Sequence, residues 1–301
     1  MLVAAVDAYV AVRRAAGFTF RSEARQLASF AAFSEARTES RVRASIAIEW
    51  AALARSMSQR ARRLGHVIRL ARYLRAEDRD HEIPPAVFGA EKRSRPTPYI
   101  LSPEQIRQLV LAASRSGYRT LRRDTYSTLF ALLASTGLRV SEAIHLRLDD
   151  ITSDGLVIRC SKFRKSRLVP LHETARAGLE RYLQRRRAYA PAEPQVFVSL
   201  RRKPLLLHDV EVAFRTAARA VGLPDSPRAR PTPHSLRHTF AVRALQACPD
   251  GRDAITRHMV ALSTYLGHAK VADTYWYLEA VPELMTDIAD RCERFVMGGR
   301  S

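Results

Sequence analysis

The chain has 301 residues, with Lys+Arg 50 against Asp+Glu 30, a formal charge of +20 and a pI near 10.8. At 47% hydrophobic it can bury real cores and is not a disordered basic tail. No apolar run approaches the roughly 18 residues that span a bilayer, the N-terminus lacks the basic start and cleavage site of a secretory signal, and Cys160, Cys248 and Cys292 are too scattered for a disulfide framework or a metal-ligand spacing. Surplus cation on this scale calls for an acidic partner. Nucleic acid leads over a membrane surface, because no single amphipathic helix sets the charge opposite exposed Trp and Phe. The excess of Arg over Lys also fits a GC-rich genome.

In chain order, residues 2–16 read as a helix, and Ser22 is placed to cap a second one carrying Leu27, Phe30 and Phe33 on one side. Residues 45–57 and 61–75 follow as two more. The last is strongly basic through Arg62, Arg63, Arg69, Arg72 and Arg75. An acidic patch (Glu77, Asp78, Asp80, Glu82) and a stretch of prolines and unpatterned charge then mark a linker.

The second part restarts at Ser102-Pro103-Glu104-Gln105, which supplies an N-cap, a proline at the first helical position and a capping-box glutamine. Asp124 can cap the next helix, whose Leu129, Phe130, Leu132 and Leu133 make it a core element ending at Gly137. Residues 156–160 and 167–171 read as short strands around a basic turn. Residues 195–200 and 204–207 read as a second small hairpin, and everything after about residue 208 as helical. The fold expected is mainly α with a small β element.

Three segments can carry chemistry. In Thr136-Gly-Leu-Arg-Val-Ser-Glu142, Gly137 stops one helix and Arg139 falls at the start of the next, where free N–H groups and a guanidinium can share an anion; Glu142 can orient it, or the two can simply pair on the surface. In Pro231-Thr-Pro-His-Ser-Leu-Arg-His238, His234 and Arg237 lie at i,i+3 on one helix face with His238 nearby, a combination suited to proton transfer and phosphate binding. In Leu266-Gly-His268 and the following helix, Gly267 leaves His268 at an exposed turn. Tyr275 and Tyr277 sit about 200° apart around the helix axis, so only one can face a given site.

Together, in this order, these segments resemble the tyrosine recombinase (phage integrase) family over roughly residues 100 to 280. Residues 136–142 match its first Arg motif, 234–240 its His-x-x-Arg motif, and His268 with Tyr277 nine residues on its third histidine and nucleophile. The resemblance aligns Lys162 of Ser161-Lys-Phe-Arg-Lys-Ser-Arg167 with the catalytic lysine. It places Arg164 and Lys165 at basic positions near DNA, and makes the N-terminal helices a core-binding domain that contacts DNA through Arg62, Arg63, Arg69 and Arg72. The interval from Arg237 to His268 is longer than in compact Xer-type members, and Phe163 stands where relatives often have glycine.

The resemblance implies a helical core-binding domain (1–88), a linker (89–99), an α+β catalytic domain (100–281) and a C-terminal exchange segment (282–301), clamping DNA. Tyr277 would attack a DNA phosphate to give a 3′-phosphotyrosyl link, with His234 as base, Lys162 as donor to the leaving 5′-oxygen, Arg139, Arg237 and His268 on the phosphate, and Glu142 in support. It implies no metal and no cofactor. The partners it implies are double-stranded recombination sites and a homo-tetramer, or a mixed tetramer with sister recombinases, in the bacterial cytoplasm on the nucleoid. A type IB topoisomerase and a non-catalytic partner of other recombinases are the alternatives. A carboxylate-dependent transposase is disfavoured, because the sequence has no spaced acidic trio to accompany Asp149-Asp150.

Overall fold

The structure, a computed structural model, describes residues 2–89, 97–115, 121–159, 166–226, 230–248, 252–268, 270–279 and 293. The chain divides into two compact units, residues 1–95 and 96–301.

The first unit holds α1 (Leu2–Ala15), α2 (Arg21–Glu35), α3 (Ala44–Ala52) and α4 (Met57–Leu74). Their apolar faces close on one core of Leu27, Phe30, Trp50, Leu64, Val67 and Leu70, all at most 2% exposed. Two starts differ from the sequence reading. Ser22 is not the cap of α2: Phe20 occupies that position in a left-handed conformation (φ 44°), fixed by its edge-on packing with Tyr9 at 5.8 Å. The third helix does not run on to residue 57. It ends at Ala52, and Ser56 caps α4 by accepting the Gln59 N–H at 3.3 Å. The acidic patch has a local purpose. Glu82 accepts the Ala44 N–H at 2.8 Å at the positive end of α3, and Asp78 and Asp80 pair with Arg41.

The second unit contains α5 (Pro103–Arg115), α6 (Leu121–Thr136), α7 (Val140–Ile144), a single 3-10 turn (Leu148–Asp150), β1 (Leu156–Ile158), β2 (Arg167–Val169), α8 (Glu173–Tyr189), α9 (Leu207–Ala220), α10 (Pro233–Gln246), α11 (Arg252–Leu266) and α12 (Ala272–Glu279). Ser102 and Gln105 form the expected reciprocal box: Ser102 Oγ accepts the Gln105 N–H at 3.1 Å and Gln105 Oε1 the Ser102 N–H at 2.9 Å. Asp124 lies inside the first turn of α6 rather than capping it. It accepts instead from Arg185 at 2.8 Å. Leu129, Phe130 and Leu133 are fully buried, each worth about 1.5–3 kcal/mol of burial, and α6 is the central rod of this core.

β1 and β2 are antiparallel, with Leu156 opposite Val169 and Ile158 opposite Arg167. The expected second hairpin does not form as a ladder. Only isolated bridges join Val198 to Pro204 and Gln195 to Arg147, because Pro204 has no N–H to give and the Val196 N–H turns to Leu146 O at 2.8 Å. The helix α8 was absent from the sequence reading altogether.

Candidate functional site

α6 ends where Gly137 takes φ +62°, and a Cβ there would come within 2.5 Å of the Phe240 ring, so both the left-handed turn and the close packing call for glycine. The reversal starts α7 with Arg139 at its N-cap. An arginine there opposes the positive end of the helix, and Glu142 compensates. Its Oε2 accepts the Arg139 backbone N–H at 3.0 Å and its Oε1 accepts from Nη1 at 2.7 Å. The same carboxylate takes a two-pronged contact from Arg167, Nη1 at 3.0 Å and Nη2 at 2.8 Å. Burial by itself raises the Glu142 carboxyl. The hydrogen bonds from the Arg167 guanidinium and the Arg139 backbone outweigh it and hold the group at about 2.

The arginines meet at the C-terminal end of α11. Three successive carbonyls there each accept from a different guanidinium: Tyr265 O from Arg167 Nε at 2.7 Å, Leu266 O from Arg237 Nη2 at 2.6 Å, and Gly267 O from Arg139 Nη2 at 2.9 Å. The last carbonyls of a helix lack intrahelical donors and carry its negative end, which is why three like charges can be gathered in one place. Arg237, only 2% exposed, also donates to Gly137 O at 2.7 Å. Burial and the charge of Arg139 push its pKa down to about 10, so it stays cationic at neutral pH.

Gly267, at φ +65°, turns the chain away from α11; a Cβ there would lie 2.9 Å from Arg167 Nη1. Gly267→Ala is expected to cost about 1–2 kcal/mol through backbone strain and to weaken any DNA cleavage more than it lowers the melting temperature. Parallel melting and cleavage assays check this.

α10 begins with Pro233 in its first turn, and the Thr232 N–H is taken by Ser235 Oγ at 3.0 Å. This start points His234, Arg237 and His238 to one side. The His234 and His238 rings meet edge to face at 4.4 Å. His234 keeps solvent access; enclosure by the protein and then the charges of Arg237 and Arg139 lower its pKa to about 4. His268 is half-buried rather than at an exposed turn. Its Nδ1 lies 2.8 Å from Thr274 Oγ1 and its backbone N–H donates to Ser263 O at 3.0 Å. Burial, then Arg237 and Arg139, push it down to about 4 as well. Both imidazoles are therefore neutral at pH 7 and able to accept a proton.

α12 delivers the phenol. Tyr277 is 3% exposed, while Tyr275 on the other side of the helix is 50% exposed, in keeping with their 200° separation. The Tyr277 hydroxyl lies 3.1 Å from His238 Nδ1, and its ring stacks at 15° to His268, centroids 6.3 Å apart.

The structure thus brings Arg139, Glu142, His234, Arg237, His268 and Tyr277 together. Lys162, Arg164 and Lys165 lie outside the described residues, as do residues 282–301 apart from Glu293. In the first unit Arg62, Arg69 and Arg72 are exposed on α4. Arg63 is half-buried, its guanidinium 5.1 Å from the centre of the Trp50 ring. Two site residues went unassigned in the sequence reading. Arg167 had a usable signal: strand alternation puts it on the same face as Val169, inward, with Leu168 46% exposed between them. His238 had one too, one helical turn after His234.

Fold and site together define a tyrosine-dependent enzyme of DNA strand breakage and rejoining. The chain belongs to the phage integrase family, whose profile of that description matches residues 100–283. It is 39% identical to the putative integrase/recombinase y4rB of Sinorhizobium fredii over 96% of both chains, and 32% identical to the tyrosine recombinase XerD of Caulobacter vibrioides over 76% of this chain and 72% of that one. Its fold is similar to that of a lambda integrase tetramer bound to a Holliday junction, with a TM-score of 0.63, 17% identity, and 91% of this chain and 76% of that one covered. Among the described residues no helix is long and apolar enough to cross a membrane.

Proposed function

We propose that this chain is a site-specific DNA recombinase in which Tyr277 attacks a backbone phosphate, forming a 3′-phosphotyrosyl bond as the bond to the 5′-oxygen breaks. The observation that carries the reading is the burial of a single phenol against neutral histidines and a braced arginine set. A phenol with its ordinary pKa near 10 must shed a proton as it attacks, and the α10 imidazoles are neutral and in place to take it. Arg139 and Arg237 balance charge on the non-bridging oxygens, His268 hydrogen-bonds the phosphate, and Glu142 fixes the geometry. Lys162, by family resemblance, protonates the leaving 5′-oxygen. The covalent link keeps the phosphodiester's energy, so a new 5′-hydroxyl can reverse the step without ATP.

The exposed arginines of α4 (Arg62, Arg69, Arg72), with Arg63, Arg164 and Lys165, would hold the DNA backbone. Residues 282–301 would dock on a neighbouring protomer in a tetramer of this chain, or of this chain with sister recombinases, on nucleoid DNA in the cytoplasm.

Nicked duplexes carrying the ends of the surrounding genetic element, incubated with protein in EDTA and resolved under denaturing conditions, test this. Wild type and Tyr275→Phe are expected to give a covalent protein–DNA band, and Tyr277→Phe none. A band that survives Tyr277→Phe, or tight binding with no band from any variant, contradicts the assignment; the second result fits a non-catalytic partner instead.

A further inference from the structure

The sequence reading gave the nucleophile's proton to His234, yet another histidine, His238, lies within hydrogen-bond distance of the phenol. We infer that His238, through Nδ1, holds the Tyr277 hydroxyl before DNA arrives and takes its proton during attack. This rests on Tyr277 being the nucleophile and goes beyond the family's His-x-x-Arg residues.

Distance and close packing are the first support. The Nδ1 to hydroxyl separation is 3.1 Å, within the reach required of a general base. With the proton on Nε2, Nδ1 presents its lone pair to the phenol. Three rings crowd the imidazole edge to face: His234 at 4.4 Å, Trp276 at 5.3 Å and Tyr277 at 5.5 Å. α12 carries both Trp276 and Tyr277, so the segment that brings the nucleophile also brings a ring packed against its acceptor.

Charge is the second support. The groups facing His238 are His234 and Arg237 of its own helix, His268 after α11, and Tyr277 of α12. Burial, then His234, Arg237 and His268, push His238 down to about 3, so without DNA the imidazole is neutral and able to accept from the phenol. An imidazolium beside Arg237 is disfavoured until an anion enters. A bound phosphodiester supplies that anion, and the negative charge growing on its oxygens during attack favours the imidazolium further. The bookkeeping of the step is complete. Tyr277 O bonds to phosphorus, the phosphorus–O5′ bond breaks, the phenolic proton moves to His238 Nδ1, and the 5′-oxygen takes a proton from its own donor. In rejoining the same proton returns to the phenol. Activation of the nucleophile is thereby tied to occupancy of the phosphate site.

The test measures the rate of phosphotyrosyl formation on a nicked duplex from pH 6 to 9.5, for wild type, His238→Asn, His238→Gln and His234→Asn, with DNA affinity and melting temperature alongside. Asparagine can keep a hydrogen bond at the Nδ1 position but cannot take a proton. His238→Asn is expected to bind DNA as wild type does, to cleave about 10²-fold more slowly at pH 7, and to regain about tenfold per pH unit as the phenol ionises on its own. Wild type and His234→Asn are expected to stay nearly flat over that range. His238→Gln serves as the second variant, with the same slope expected, should asparagine perturb the helix. A flat profile in both His238 variants, or the slope appearing in His234→Asn instead, overturns the assignment. A wild type that forms no covalent product, or a Tyr277→Phe that does, sinks the reading of the site itself and is recognisable separately, since it does not depend on His238.

Discussion

Glu142→Gln is expected to remove about 3 kcal/mol of the catalytic unit's stability at pH 7 and to reduce cleavage to background. The carboxyl sits at about 2 in the fold against an ordinary 4.5, and a depression of that size corresponds to about 3 kcal/mol of preference for the ionised form. A group whose folded pKa is depressed contributes fully above its unfolded pKa and loses that contribution as pH falls through the folded one, so the Glu142 contribution drains between about pH 4.5 and 2. His238 and His268 act earlier in the same direction. Both are held below 6.5 in the fold, so the unfolded chain binds their protons first and stability begins to fall below about pH 6.5. Urea unfolding at pH 7, 5 and 3 is expected to show wild type weakening in both stages, and Glu142→Gln starting lower with a shallower loss below pH 4.5. Arg167→Leu breaks the same pair from the other side. It leaves a carboxylate only 7% exposed with half its donors and opens Tyr265 O, at an expected cost of about 3–5 kcal/mol. Arg167→Lys should recover only part, since an ammonium cannot make the two-pronged contact. Combining Glu142→Gln with Arg167→Leu is expected to cost clearly less than the two losses added. Simple additivity would show that the pair does not act as a unit.

What could be read from the sequence divides along a physical line. Locally encoded signals transferred directly. The Ser102/Gln105 box, Pro233 at the start of α10, Gly137 and Gly267 at helix ends, and the apolar run of α6 all stand where side-chain chemistry alone put them. Readings failed where a tertiary contact outbid a local preference: Phe20 displaced Ser22 from the start of α2 by packing on Tyr9, and Val196 abandoned a hairpin for Leu146. The site divides the same way. Its motif residues were legible because each motif is contiguous. The clasp on α11 was not, because Tyr265, Leu266 and Gly267 contribute backbone carbonyls, and carbonyls leave no mark in a sequence. Arg167 needed only strand periodicity applied to polar residues as well as apolar ones; helix periodicity placed His238 beside His234, but nothing local marked it as the partner of Tyr277.

Apolar periodicity alone also misses α8, and removal of Arg186 within it is expected to cost about 2–6 kcal/mol. Leu179, Tyr182, Leu183 and Arg186 fall at i, i+3, i+4 and i+7, an inward helical stripe in which an arginine fills the last apolar slot; in a run such as Arg185-Arg-Arg187 it passes for a solvated cation. Arg186 has no exposed surface at all. Instead of a carboxylate it meets backbone oxygens: Nε donates to Val196 O at 3.2 Å, Nη1 to Ala190 O at 2.9 Å, and Nη2 to Gln195 O at 2.5 Å and to Glu193 O. One guanidinium thus nails residues 190–196 to the end of α8. That segment in turn holds Leu146 O through the Val196 N–H, directly after the helix that carries Arg139 and Glu142. Arg186→Met keeps the length and suits the apolar stripe; Val196 O still accepts from the Tyr182 hydroxyl at 3.2 Å and Ala190 O from the Glu193 N–H at 3.3 Å, but Glu193 O and Gln195 O lose the guanidinium. At about 1–3 kcal/mol for each buried polar group left unsatisfied, those two carbonyls make a loss of about 2–6 kcal/mol the expected result in urea unfolding, with cleavage falling in step with the folded fraction. Arg186→Lys, with a single ammonium for four acceptors spread around a planar fork, should recover less than half. A loss under about 1 kcal/mol for Arg186→Met would mean that water replaces the guanidinium at those carbonyls, and that the shelf behind α7 stands without its pin.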